Sequence, residues 1–291
     1  MARNLLVIGA TGKTGGHTVE LLLERGHNVR ALVRKEDERS ERLVRLGAQV
    51  VVGDVLDLDS ISKAAHAIDA LYFTYPIMPG LLDATANVAQ AAHENGVGAI
   101  VNMSQISAGR VTASNAARHH WVAEQVLDRF PVPVTHLRPT FFAQWLIDTW
   151  ADGTGELALP FGDGRHAPIA ESDQARVIAA ILENPDPHAG QIYPLYGAVE
   201  LNHYEIAEEM SKELGEDVRY VPIDLDSFTA ILEGRGAPAY LIQHLRAVAI
   251  DYQNGVFAGT NNNVKSIGGQ DPLDVRGFVA KNRSAFPSHT R

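Results

Sequence analysis

Glycines at positions 9, 12 and 15 recur at three-residue spacing in the run GATGKTGG near the start of the chain. Residues without a Cβ permit a tight turn, let an anion approach the backbone, and let a helix pack closely on the preceding strand. A helix that begins there also turns free N–H groups and a partial positive charge toward the anion. The apolar run NLLVI before the turn and the helical pattern TVELLLER after it supply that strand and helix. This context predicts a pyrophosphate-binding turn rather than a mere connection, with Gly9, Thr11, Gly12, Lys13, Thr14 and Gly15 as its contacts. Dinucleotide sites for NAD(H) usually end the second strand in an acid that bonds the adenosine ribose. Here Arg34 and Lys35 stand in that place. A planar guanidinium pairs with a phosphate through two N–H groups, so Arg34 predicts NADP(H) in preference to NAD(H). Glu36 and Asp37 follow directly and weigh the other way, and solvated loop charge is the alternative reading of the two cations.

Further candidates follow the later strands, because open α/β sheets meet their ligands at the carboxyl ends of the strands. Asp54 and Val55, in VVGDVLD, either meet the adenine edge or, for the aspartate, cap the next helix. Thr74, Tyr75 and Pro76 follow the fourth strand, with Tyr75 either covering the nicotinamide ribose or simply buried. Pro139, Thr140 and Phe141 follow the sixth and border the nicotinamide by the same geometry. Phe142, Trp145 and Trp150 come next at helical spacing, which suits core packing at least as well as contact with a flat acceptor. No metal site is expected: His119 and His120 diverge by about 100° on a helix, and no cluster has ligand spacing.

The elements that must position these residues are readable from the pattern. Runs rich in Val, Ile and Leu at 4–8, 28–33, 49–52, 70–73, 99–103 and 134–137 suit strands buried on both faces. Helical periodicity falls between them at 14–25, 38–46, 60–67, 81–95 and 116–130. Glycines at 26, 47 and 96 close three of these helices. Such alternation implies right-handed crossovers and an α/β fold, a doubly wound parallel Rossmann sheet. A helix at 171–185 and a strand at 191–197 return to this first domain. The expected division is therefore 1–140 plus about 168–198 for the Rossmann domain, and 141–167 plus 199–291 for a smaller mixed α/β lobe. In that lobe turns are expected at 152–156 and 161–168, helices at 202–214, 225–233 and 238–254, and a strand at 218–221.

Composition limits the function. At 291 residues, with a formal net charge of -10, the chain can bury a large core and presents a repulsive background to nucleic acid. No apolar run approaches the roughly 20 residues of a membrane span. The absence of cysteine removes disulfides, thiolate nucleophiles and thiolate-bound metals, which suits a reducing cytoplasm. MARNLLVIGA reads as a first strand rather than a targeting segment. A homodimer is compatible with the sequence.

With GATGKTG at the start, GDVLD after the third strand, YFTYP after the fourth and HLRPTFFAQW at the sixth, the chain resembles the NmrA-like family of atypical short-chain dehydrogenases over almost its whole length. That family includes both reductases and regulators that bind NADP without consuming it, so the fold alone does not fix the function. Ordinary short-chain dehydrogenases use a Tyr made acidic by a Lys four residues on, with a Ser orienting the carbonyl. No Tyr in this chain has a Lys four residues later. The resemblance places His120 at the Lys position, Glu124 and Leu127 after it, Ala116 at the Tyr position and Ser104 at the Ser position. A His there resembles the quinone-reductase and triphenylmethane-dye-reductase branch, which implies an NADPH-dependent reductase of conjugated small molecules. Such acceptors take hydride readily, and the proton can follow from water or from an imidazole titrating near neutrality. His120 has two other readings, a ribose-binding or orienting group and a surface residue paired with Glu124. Ser104 can equally be a strand-end hydroxyl. The alternative function is a non-catalytic NADP(H) sensor acting through a protein partner.

Overall fold

In a computed structural model, which describes residues 1–150 and 154–288, each of the six early apolar runs is a strand. They are β1 (Asn4–Ile8), β2 (Asn28–Val33), β3 (Gln49–Val52), β4 (Ala70–Phe73), β5 (Ile100–Met103) and β6 (Val134–Pro139). The helices between them are α1 (Lys13–Glu24), α2 (Glu38–Leu46), α3 (Leu58–Ala65), α4 (Leu81–Glu94) and α5 (Asn115–Leu127). The chain then makes α6 (Trp145–Trp150), β7 (Glu156–Leu159) and β8 (Arg165–His166) before returning with α7 (Glu171–Glu183) and β9 (Ile192–Leu195). It ends with β10 (Leu201–Asn202), α8 (His203–Leu214), β11 (Arg219–Pro222), α9 (Leu225–Gly234), α10 (Ala239–Gln253), α11 (Asn263–Gly268) and α12 (Val275–Lys281). The turn expected at 152–156 lies partly outside the described residues.

Seven strands form one sheet in the order β3-β2-β1-β4-β5-β6-β9, every pair parallel. This is the doubly wound Rossmann topology, and its order reverses between β1 and β4. Alternate residues of a strand point to opposite faces. Leu5 and Val7 of β1 accordingly join the core under α1 and α7, while Leu6 and Ile8 join the one under α3 and α4. A third core holds Phe141, Trp150, Phe161, Tyr252 and Phe278, and is built from α6, α8, α10, α12 and the strand pair β7–β11. Val264 of α11 packs instead with the sheet.

One buried ion pair sets the rotation of α5. Glu124 is fully buried, and its carboxylate takes both Nε, at 2.8 Å, and an Nη of Arg138 on β6. The pairing with His120 considered from the sequence is therefore excluded, because the carboxylate is committed elsewhere. Beside it, Asp128 at the end of α5 bonds His136 of β6, whose other ring nitrogen meets the Asn102 amide on β5, both at 3.0 Å. Two points of attachment hold α5 against the sheet, and His120, one turn before Glu124, is aimed past the end of β6.

Removing one member of a buried pair leaves an uncompensated charge, at a cost of about 3–5 kcal/mol. Arg138→Met is expected to lose about that much stability in urea unfolding. Glu124→Leu combined with Arg138→Met should recover most of it; equal losses in the single and double variants would show that the pair does not act this way.

Candidate active site

The glycine turn is built as its spacing demands. Gly9 sits at φ +84°, and a Cβ there would lie 2.4 Å from Cγ2 of Thr74. A Cβ on Gly15 would lie 2.2 Å from the carbonyl oxygen of Gly9, so α1 can rest on the end of β1 only if residue 15 is glycine. The N–H of Gly12 donates to Gly9 O at 2.9 Å and closes the turn. Gly12 occupies the N-cap of α1 and brings no side-chain acceptor, which leaves the first-turn N–H groups to an outside anion. Thr11, Lys13, Thr14, Thr74 and Arg34 line the cleft that opens there, of about 580 Å³. Its place at the reversal of strand order is where such sheets bind ligands. Across its mouth, Lys13 Nζ reaches Asp148 on α6 at 3.3 Å.

At one end of the cleft Asp54, Val55, Arg34, Tyr75 and Pro76 line a side pocket of about 190 Å³. The capping role considered for Asp54 belongs to Asp57, which accepts from Asp59 N at 3.1 Å to start α3. Arg34 is exposed and has no hydrogen bond or ion pair among the described residues. Of the two neighbouring acids that weighed against it, Asp37 is already in use. It caps α2 through Arg39 N and Ser40 N and pairs with the Arg39 guanidinium at 2.6 Å. That hydrogen bond to Arg39 holds its carboxyl below the usual carboxylate range.

A second cavity, of about 280 Å³, adjoins the first; Thr74, Tyr75, Pro76 and Met103 line both. Ser104, His120, Pro139, Thr140 and Phe141 are in its wall. Ser104 Oγ is buried without a hydrogen-bond partner. His120 is 5% exposed, and burial, reinforced by His244 and His119, pulls its pKa down to about 3. The expected imidazole titrating near neutrality is thus corrected: desolvation keeps the ring neutral. Thr140 donates to Phe257 O at 3.2 Å, and Phe141 packs edge-on against Phe161 and Tyr252, so both also tie the sheet to the smaller lobe. Of the aromatic stripe, Phe142 and Trp145 reach both cavities, whereas Trp150 packs on Phe286 in the lobe core.

The sequence did not single out several lining residues. Leu241, His244, Leu245 and Val248 come from α10, whose periodicity marks a helix but not the element it faces. Glu171 reads as a helix-start acid, yet it faces the first cleft at 4% exposure with Oε1 unpartnered. Burial pushes its carboxyl up to about 7, with Lys13 opposing and Asp148 adding to the shift. A carboxyl raised in the folded state holds its proton more tightly folded than unfolded. Its share of stability is intact below the ordinary value of 4.5 and is lost as pH climbs to about 7. Glu171→Gln should remove that decline. Urea unfolding from pH 4.5 to 8 is expected to show the variant gaining on the native chain with rising pH, and parallel curves would contradict this.

Among the described residues no group of three or more His, Asp or Glu could hold a metal ion. No helix among them is long and apolar enough to cross a membrane.

A sequence model of the NmrA-like family matches residues 1–265. The chain is 28% identical to the NAD(P)H azoreductase of Xenophilus azovorans, over 97% of its own length and 99% of that protein. Its fold superposes with TM-score 0.86 on an NADPH-dependent quinone oxidoreductase from Escherichia coli complexed with NADPH, at 22% identity, covering 96% of this chain and 99% of the other. It also resembles NmrA, a negative transcriptional regulator solved with NADP, with TM-score 0.79, 16% identity and coverage of 96% and 95%.

Proposed function

Because this chain belongs to the NmrA-like family, we propose that it is an NADPH-dependent reductase of quinone-like or other conjugated small molecules. The observation that carries the reading is the continuity of the two cavities. A charged, glycine-floored cleft runs past Thr74, Tyr75, Pro76 and Met103 into a largely apolar one beside Ser104 and His120. The NAD(P)H azoreductase and NADPH-bound quinone oxidoreductase relatives support the same assignment.

In this reading the turn Gly9–Gly15 and the start of α1 hold the pyrophosphate, where a Cβ would fill the cradle. Arg34 holds the 2′-phosphate. Asp54 and Val55 border the adenine, and Thr74, Tyr75 and Pro76 cover the nicotinamide ribose. Pro139, Thr140 and Phe141 border the nicotinamide. NADPH supplies the hydride. Ser104 and neutral His120 bind and orient the acceptor through uncharged hydrogen bonds, and Phe142 and Trp145 exclude water beside it. With Ala116 in place of a Tyr acid and His120 neutral, no strong proton donor faces the acceptor. A conjugated acceptor takes its proton from water after reduction, so none is needed. A cytoplasmic location belongs to the same reading.

A second reading, a redox sensor that binds NADP(H) and acts on a protein partner, is favoured by the same missing acid and by the likeness to the NmrA regulator. Turnover separates the two. Purified protein with NADPH is expected to consume it in the presence of simple quinones; unequal affinity for NADP+ and NADPH with no consumption across quinones, dyes and enones would establish the sensor instead. Arg34→Ala should weaken NADPH binding about tenfold or more and leave NADH within about twofold. Equal losses for both cofactors would remove the 2′-phosphate from Arg34.

A further inference from the structure

Among the described residues, no Asp, Glu, Lys or Arg lines the second cavity. What it offers are uncharged hydrogen-bonding groups. Ser104 Oγ and Gln105 Nε2 are buried and unpartnered. The smaller lobe adds His244, which is 7% exposed and lies close enough to His120 to influence its charge. His244 Nδ1 is 2.7 Å from the hydroxyl of Ser114. That oxygen already accepts from Ala117 N at 3.0 Å as the N-cap of α5, and its single proton has no other acceptor among the described residues. We assign the hydroxyl as donor to Nδ1, which leaves the ring's own proton on Nε2, without a partner among the described residues. Burial keeps this imidazole neutral too, with its pKa lowered to about 4.

With the His120 ring beside them, these donors in an uncharged setting call for a ligand that accepts hydrogen bonds and carries no charge, since burying an ion here would have no compensation. Leu241, Leu245, Val248 and Trp145 make the remaining wall apolar. The volume of about 280 Å³ lies just below the usual range of ligand cavities, about 300 to 1,000 Å³, and so limits the ligand to a small one. We infer that this cavity selects an uncharged carbonyl compound of one or two rings, and that His244 of the smaller lobe, through Nε2–H, binds one of its carbonyl oxygens. The inference rests on the second cavity being the acceptor site.

Three probes test it: 2-methyl-1,4-naphthoquinone, 1,4-naphthoquinone-2-sulfonate, which adds an anion to the same rings, and crystal violet, a larger cation. The neutral quinone should exceed the sulfonate by about tenfold or more in kcat/KM, with crystal violet poorer still. His244→Phe should raise KM for the neutral quinone about tenfold while the NADPH Kd stays unchanged, and His244→Gln, which restores a donor, should recover most of the loss. Preference for either charged probe, or a His244→Phe KM equal to that of the native chain, overturns the inference. Quinone binding without NADPH, read from quenching of Trp145 fluorescence with Trp145→Phe as control, separates this inference from the reductase assignment. Binding that favours the neutral quinone and depends on His244, without turnover, sustains the site and removes the reductase. Turnover indifferent to charge and to His244 does the reverse. If His244→Phe does not fold, His244→Gln and the charge comparison on the native chain still decide.

Discussion

The close approach of Gly15 to the carbonyl of Gly9 is the contact on which the rest of the site depends. It brings the start of α1 down onto the end of β1, so the helix directs its uncapped N–H groups into the cleft instead of over the sheet. The same turn needs Gly9 to leave room for Thr74 at the tip of β4, the neighbouring strand. Three chain segments therefore meet at the point where strand order reverses, and they fit together because positions 9 and 15 carry no Cβ. Any side chain at position 15 would run into the backbone of Gly9 and Ala10 and lift α1 off the end of β1.

From that meeting point the molecule divides its electrostatics sharply. The first cleft is bordered by Lys13, Arg34, Asp148 and Glu171, whereas the second has no ionic side chain among the described residues. A few residues at the ends of β4 and β5 separate them. The division suits a site in which one ligand is a polyanion and the other is not. Arg138, next in sequence to the cavity residue Pro139, is held by Glu124, and the same pair fixes the helix that presents His120. One buried interaction thus neutralises a charge and positions a neutral ring.

Much of this was legible in the residues. The strands at 4–8, 28–33, 49–52 and 70–73 have the observed bounds, because buried parallel strands are written as unbroken apolar runs between turn residues. The cofactor cleft was equally readable, since a glycine turn constrains sequence locally. The smaller lobe was not. β8 and β10 are two-residue strands, too short for any periodicity, and β8 lies inside a glycine-rich stretch that reads as turn. α6 and α11, of six residues each, give less than two turns of pattern. His244 was hidden for a different reason: the sequence shows that α10 is a helix, but only tertiary packing puts one edge of it against a cavity of the other lobe. His120 was found by resemblance, and its neutrality, a property of burial, could not be.

The excursion of the chain through the smaller lobe also governs how the sheet can be completed during synthesis. β6 receives its outer neighbour β9 only once residues 192–195 have emerged, after α6, β7 and β8 have been made. Val177, Ile178, Ile181 and Leu182 of α7, which cover one face of the sheet, arrive in the same late stretch. Until then a nascent chain ending near residue 140 has a face only partly covered, by α1, and an open strand edge, features that invite self-association. The first six strands therefore leave the ribosome before the sheet has its outer strand or its full helical cover. The sheet is completed with the return of the chain through α7 and β9, and most of the smaller lobe, from β10 onward, follows after it is closed.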